Sequence, residues 1–468
     1  MITATTLDRR ELLRFGTASM LLAAPLCRSA AATPTFEDRS VGFGKAKSVL
    51  MIFTHGGQSQ IDMWDPKPDA ADHVRGEFSP ISTRVPGLFF TEHMPGIANV
   101  ADRFTVLRSM AHEDLDHGSA VYLALTGRYH ARLSSNPPPS SSDIPTLGSV
   151  LSRIPIGQRF PYQAIHVNGP ALVPFEPSPG QYGGVLGTAH NPLVIGDVTQ
   201  GPLAIPGLTT NTRLSDGRMA SRMGLKQQLD KSRLQLLANP AVQENEKFYN
   251  QAISLLSSRS VRNAFDLGRE PARIRDRYGR HRPGQACLLG RKLIEAGVPF
   301  VNVIWNHSNR GQDRDPTMTD AYGWDTHNDI FSSLKDQLIP RFDRTFPALI
   351  EDMDQRGLLE ETLVICMGEF GRAPLVAKES NFAGSEPGRK HWASAYSIVL
   401  AGAGVGRGQV IGATDRIGGE VITNRYGPWD VAATIFHALG IDPGGHYTDP
   451  LDRPYPITVG TPITAIYS

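Results

Sequence analysis

Residues 48–59 read SVLMIFTHGGQS. From Ser48 to Thr54 the run is continuously apolar and rich in aliphatic and β-branched side chains, which suits a strand buried on both faces of a sheet. It breaks at His55-Gly56-Gly57, a polar, glycine-rich loop. Five further runs repeat the pattern: Thr105–Arg108, Ala164–Val167, Pro299–Trp305, Thr362–Met367 and Ala395–Leu400. Helical spacing lies between them. Ile330, Phe331, Leu334, Leu338, Phe342, Phe346, Leu349 and Met353 fall on one helical face, with Gly357 as a stop. A second helix is expected over Trp429–Leu439, closed by Gly440. Strands alternating with helices predict an α/β fold with a mostly parallel sheet.

In open α/β sheets, ligands gather at the carboxyl ends of the strands, so the residues after each run matter most. His55 to Ser59, then Asp62 and Asp65, follow the first. HEDLDHGS, His112 to Ser119, follows the second. His307 and Trp324-Asp325-Thr326-His327 come after Pro299–Trp305, and Gly368-Glu369-Phe370-Gly371-Arg372 after Thr362–Met367. Gly388-Arg389-Lys390-His391-Trp392 precedes Ala395. Histidines and carboxylates thus collect at one edge, as a metal or acid–base site requires.

Composition narrows the class. A chain of 468 residues that is 40% hydrophobic can bury a large core, in one large domain or two ordinary ones. The balance of 47 basic to 46 acidic side chains offers no footprint for nucleic acid. Three Cys cannot build a disulfide framework, and Cys287 and Cys366 read as buried thiols. Residues 1–32 read as a removable export leader: Arg9-Arg10, an apolar stretch from Phe15 to Cys27 too short for a membrane span, then small residues at 29–32. The paired arginines beside Leu12-Leu13 resemble a twin-arginine leader, which predicts a periplasmic or secreted, slightly acidic mature chain. Residues 134–146 read as an exposed Pro/Ser loop. Residues 170–280 read as an inserted cap, irregular over 170–215 and helical over about 218–265, with Leu225, Leu229, Leu236 and Leu237 on one face.

Four segments carry a wider likeness: Leu50–His55, HGSAVYLALTGRYHAR at 117–132, Leu363–Gly371, and WDVAATIFHALGI at 429–441. In this order they resemble the alkaline-phosphatase/sulfatase superfamily. A closer resemblance, to an exported family of unknown function (domain of unknown function 1501) within it, rests on five motifs. These are Gly-Gly-x-Ser…Asp-Pro-Lys-Pro (56–68), Trp-Asp-Thr-His (324–327), Glu-Phe-Gly-Arg (369–372), Gly-Arg-x-His-Trp (388–392) and Gly-Ala-Thr-Asp (412–415). The resemblance covers about residues 45–445. It implies an alkaline-phosphatase-like sandwich over 45–468, a mostly parallel central sheet with helices on both faces and the inserted cap. The chain departs from the superfamily pattern at chemical positions. The sulfatase nucleophile falls at His117, and the next two maturation residues fall at Ser119 and Ala120, so formylglycine chemistry does not fit. The first-strand Asp falls at His55, and the late Asp-His pair at Glu369-Phe370.

The resemblance and the strand-end placement together imply roles. His55, Asp325, His327, Glu369 and His391 are the expected metal ligands. Imidazole and carboxylate donors without thiolate suit zinc, manganese or ferrous iron, with zinc or manganese favoured over calcium. His117 is the expected catalytic residue, as ligand, nucleophile or general acid/base, with Ser119 the alternative nucleophile or a plain helix cap. The Gly118 and Ser119 amides are expected to face an anion. Arg128 and Arg372 would clamp an oxyanion, Arg128 serving equally well as an ion-pair tie. Gly57 and Ser59 would offer an anion-binding loop, or a simple capped turn. Asp62 and Asp65 read as turn residues. The expected activity is metal-dependent hydrolysis of a phosphate or sulfate ester, on a small-molecule or glycan substrate, with no nucleic-acid partner and no membrane span. The alternative is a non-catalytic member that binds a glycan or an envelope partner.

Overall fold

The apolar run at 48–54 becomes the centre of the sheet. The computed structural model of the chain describes residues 40–154, 160–173, 175–199, 221, 259–306 and 323–467. The expected leader (1–32), His307 and the helical pattern from Leu225 to Leu237 lie outside the described residues. Two units divide the chain, Met1–Ser40 and Val41–Ser468, and the second carries the sheet.

Eight strands form that sheet: β1 (Ser48–Phe53), β2 (Thr105–Met110), β3 (Ala164–Val167), β4 (Leu193–Ile195), β5 (Phe300–Ile304), β6 (Thr362–Met367), β7 (Tyr396–Ala401) and β8 (Gln409–Ile411). Their spatial order is β8-β2-β7-β6-β1-β5-β3-β4. β1 runs parallel to β5 and β6, β3 to β5 and β4, and β8 to β2. β7 alone is antiparallel to both neighbours. The cause is local. After β6 the chain makes a small ribbon at the carboxyl edge, Gly371–Arg372 against His391–Trp392, and re-enters the sheet from that same edge. Within the expected cap, Leu193–Ile195 is the edge strand β4, so part of that stretch belongs to the sheet itself.

Both faces are covered, as the continuous apolarity of β1 requires. Leu50 and Ile52 pack into one core with Leu288 and Leu289 of α2 (Arg282–Glu295) and Phe342 and Phe346 of α3 (Ile339–Gln355). Val49, Met51 and Phe53 pack into the other with Val121 and Leu125 of α1 (His117–Thr126) and Ile435 and Phe436 of α4 (Pro428–Ala438). The helix expected from Ile330 is split: a short turn at Ile330–Ser333 and a wider π-type turn at Leu334–Leu338 precede α3. Pro340, at the start of α3, has no N–H to give the preceding turn.

Candidate metal centre

Five loops at the carboxyl edge deliver six side chains to one place. His55 follows β1, His117 opens α1, Glu369 follows β6, His391 begins the ribbon that leads into β7, and Asp325 and His327 lie two residues apart on the segment between β5 and α3. All except His391 are almost wholly buried; the His391 side chain is 19% exposed.

Asp325 is the hub. Its Oδ1 lies 3.0 Å from His327 Nε2, 3.3 Å from His391 Nε2 and 2.8 Å from an Arg372 nitrogen, and its Oδ2 lies 3.1 Å from His117 Nε2. His117 Nδ1 is 2.6 Å from Glu369 Oε1. That oxygen also accepts the Gly56 N–H at 2.8 Å and lies 3.9 Å from His55 Nε2. The ligand-type atoms of His55, His117 and Glu369 all lie within 4.8 Å of one another, and so do those of His117, Asp325 and His391.

Outer partners fix the tautomers. His391 Nδ1–H donates to the Leu115 carbonyl at 2.6 Å, because that oxygen only accepts. His327 Nδ1 faces the Glu379 carboxylate at 2.5 Å, and its ring stacks on Phe382. Both Nε2 atoms therefore turn toward Asp325 and lie 2.9 Å apart. Three electron-rich atoms separated by 2.9, 3.0 and 3.3 Å repel unless a proton or a cation stands among them. A tetrahedral ion with bonds of about 2.0–2.1 Å has ligand–ligand edges of about 3.3 Å. Glu369 Oε2 is buried and bonds to no described residue. The donor set, its spacing and this orphaned oxygen fit a divalent cation, and outer-shell carboxylates such as Glu379 are its usual supports.

Charge follows the same geometry. Burial disfavours the His117 imidazolium, but Asp325 and Glu369 outweigh it and raise the ring to about 9. Burial works to raise Asp325 and Glu369. His117 and Arg372 nevertheless hold Asp325 well below the usual range, and His55 and His117 hold Glu369 down. Burial, aided by the nearby His117 charge, drops His391 to about 4, so it is neutral at pH 7. In the metal-free chain, the proton on His117 supplies positive charge to the two carboxylates.

Some expected residues stand apart from the centre. Arg128 follows the Gly127 cap of α1 and donates to the Pro456 carbonyl, about 15 Å of helix from His117. Ser119 Oγ donates to Asp114 and accepts the Ser135 N–H. The Gly118 and Ser119 amides, expected to face an anion, instead donate to Asn136 Oδ1 and the Ser135 carbonyl, so the start of the Pro/Ser loop occupies that helix end. Arg372 is fully buried and braces the site: its guanidinium donates to the Gly56, Gly57 and Arg389 carbonyls as well as pairing with Asp325. Ser59 caps the short helix Gln60–Met63. Gly57 is needed at φ +78°, where a Cβ would come 2.8 Å from the Phe370 ring and carbonyl.

Two aspartates expected in turns do more. Asp62 grips fully buried Arg389 through both oxygens, at 2.8 and 2.9 Å, two residues before His391. Asp65 pairs with Arg108 and Lys67. His112, kept neutral chiefly by burial, donates Nε2–H to the Glu369 carbonyl at 2.7 Å. Glu379 and Asn328 were not singled out from sequence. Asn328 is fully buried and donates to the Glu379, Phe382 and Ala383 carbonyls, anchoring the loop behind His327. No periodicity marks either residue.

A comparison with curated proteins finds no match. Among solved structures the chain is similar to Ps i-CgsB, at 11% identity over 90% of this chain and 76% of that one, with a TM-score of 0.43. It is similar to the PsFucS1 sulfatase from Pseudoalteromonas sp., at 16% identity over 85% and 68%, TM-score 0.37. It is also similar to a mutant TAB5 alkaline phosphatase with Mg bound in its M3 site, at 11% identity over 85% and 97%, TM-score 0.36. Residues 46–467 match the family described as "Protein of unknown function (DUF1501)", and the chain belongs to that family.

Proposed function

We propose that this chain is a metal-dependent hydrolase of phosphate or sulfate esters, exported through a twin-arginine leader, and that zinc or manganese is its cation. The observation that carries the reading is the meeting of Asp325 Oδ1, His327 Nε2 and His391 Nε2 at mutual distances of 2.9 to 3.3 Å. These three, and His55 with Glu369 on the far side of His117, would supply the metal ligands. A divalent cation held there would supply a water of lowered pKa and a Lewis acid for an ester oxygen.

The chain's own residues supply the rest. Asp325 and Glu369 stay ionised at neutral pH. Leu115 and Glu379 hold the two imidazoles in the tautomer that presents Nε2. Arg372 fixes the Gly56-Gly57 loop, whose Gly56 N–H fixes Glu369. Substrate would enter beside His391, past Leu115 and Phe382, which are 46% and 39% exposed. No described helix is long and apolar enough to cross a membrane.

One observation favours the non-catalytic alternative: the His117 ring lies between two carboxylates, Nδ1 hydrogen-bonded to Glu369 and Nε2 3.1 Å from Asp325 Oδ2, and the Ser119 hydroxyl donates to Asp114, so neither side chain is aimed at open space as a nucleophile. Attack by water answers that objection. The test is an ester panel assayed with the metal-analysed protein beside Asp325→Ala and His391→Ala. Turnover of one ester class, lost in folded variants, is expected. Absence of stoichiometric metal and of turnover above the variants would overturn the proposal.

A further inference from the structure

The two ring nitrogens of His117 serve two different groups. Nδ1 is 2.6 Å from Glu369 Oε1, beside His55. Nε2 is 3.1 Å from Asp325 Oδ2, beside His391. The nitrogens of an imidazole diverge, so one ring cannot turn both lone pairs to one ion. We propose that His117 is a bridging ligand shared by two divalent cations, one held with His55 and Glu369, the other with Asp325, His327 and His391. This rests on the metal-centre reading above and deepens it: it sets the number of cations and removes the His117 ring from the role of nucleophile.

The ring is held for such a role. His117 is the first residue of α1, and its N–H is capped by Asp116 Oδ1 at 3.0 Å. The next two amides are tied to Asn136 and Ser135. A Cβ on Gly118 would meet the Asn136 backbone at 2.7 Å, so the loop packs tightly against the helix start. Each side of the ring has its own ionised carboxylate, and Glu369 keeps an unused, buried oxygen. On loading, the ring gives its N–H protons to solvent, and the electron pair of each nitrogen goes to one cation. The bridging imidazolate, Asp325 and Glu369 together carry less negative charge than two divalent ions and Arg372 carry positive charge. The surplus is positive and would attract an oxyanion.

The test uses the full chain, stripped with chelator and titrated with Cu(II) and separately with Zn(II). Metal analysis gives the ions bound per chain, and electron paramagnetic resonance gives the number of uncoupled copper spins. Two ions per chain, with a spin count well below the copper count, is the expected result, since imidazolate couples the two spins. The His117→Ala chain should keep one copper with its full spin. Saturation of the unaltered protein at one ion, or a spin count equal to the copper count at two ions, would overturn the bridge, as would a coupled pair surviving in His117→Ala. Should that variant unfold, the unaltered protein's stoichiometry and spin count decide alone. A coupled pair without ester turnover would sink the hydrolase reading and keep the bridge. Turnover by a chain holding one ion would do the reverse.

Discussion

Raising the pH should load the first cation by removing one proton from His117, the second proton leaving only when the second cation binds. In the metal-free chain the ring titrates at about 9, because Asp325 and Glu369 outweigh the burial that would lower it. A cation needs the bare nitrogen, so below that value its apparent affinity should climb about tenfold per pH unit, or about a hundredfold from pH 6 to pH 8. His391 gives no proton in that window, since it titrates at about 4, and the lowered carboxylates are already ionised. The stability of the metal-free chain should move the other way. A raised histidine pKa stabilises fully below its unfolded value of about 6.5, and this contribution is lost as pH rises through about 9. The shift from 6.5 to about 9 corresponds to about 3 kcal/mol. Calorimetric titration with Zn(II) or Mn(II), in buffers of different ionisation enthalpy, reads both affinity and protons released. An affinity equal at pH 6 and pH 8, with no proton released, would show that no His117 proton opposes loading; His117→Gln should flatten the profile.

Asp62→Asn leaves the fully buried Arg389 guanidinium without its counter-charge, and should lower stability by about 3–5 kcal/mol in urea unfolding; a loss below about 1 kcal/mol would show the pair to be dispensable. Gly57→Ala forces a side chain into a φ of +78° and against Phe370, at a cost of about 1–3 kcal/mol. By shifting the loop that Arg372 and Glu369 hold, it should also weaken metal retention on dialysis, and unchanged retention would count against that coupling. Cys287 and Cys366 are buried and their thiols are pushed up by burial, so a thiol reagent should label neither in the folded chain and both after unfolding. Rapid labelling of the native protein would contradict their placement.

The site is legible in the sequence where chemistry and periodicity coincide. β1, β5 and β6 are continuous apolar runs, and the ligand-type residues behind them converge because parallel neighbours end at one edge. Direction was less legible: the run that becomes β7 looks like any other, and only the ribbon at 371–392 shows that it returns antiparallel. Arg372 carries the chemistry of an anion clamp, but its donors are consumed by backbone carbonyls, and nothing in a linear sequence marks an arginine as fully buried. Asp62 looked like a turn residue because its partner, Arg389, lies 327 positions away. Leu193–Ile195 and Gln409–Ile411 were too short to stand out as strands, and gain their place only by pairing with β3 and β2.

Asp325, His327 and His391 are expected to hold a divalent cation. Anomalous diffraction from crystals grown with manganese or zinc tests it most directly. A peak is expected within bonding distance of Asp325 Oδ1 and the Nε2 atoms of His327 and His391. A fully occupied ion elsewhere, with these three atoms bonded only to protein or water, would contradict it.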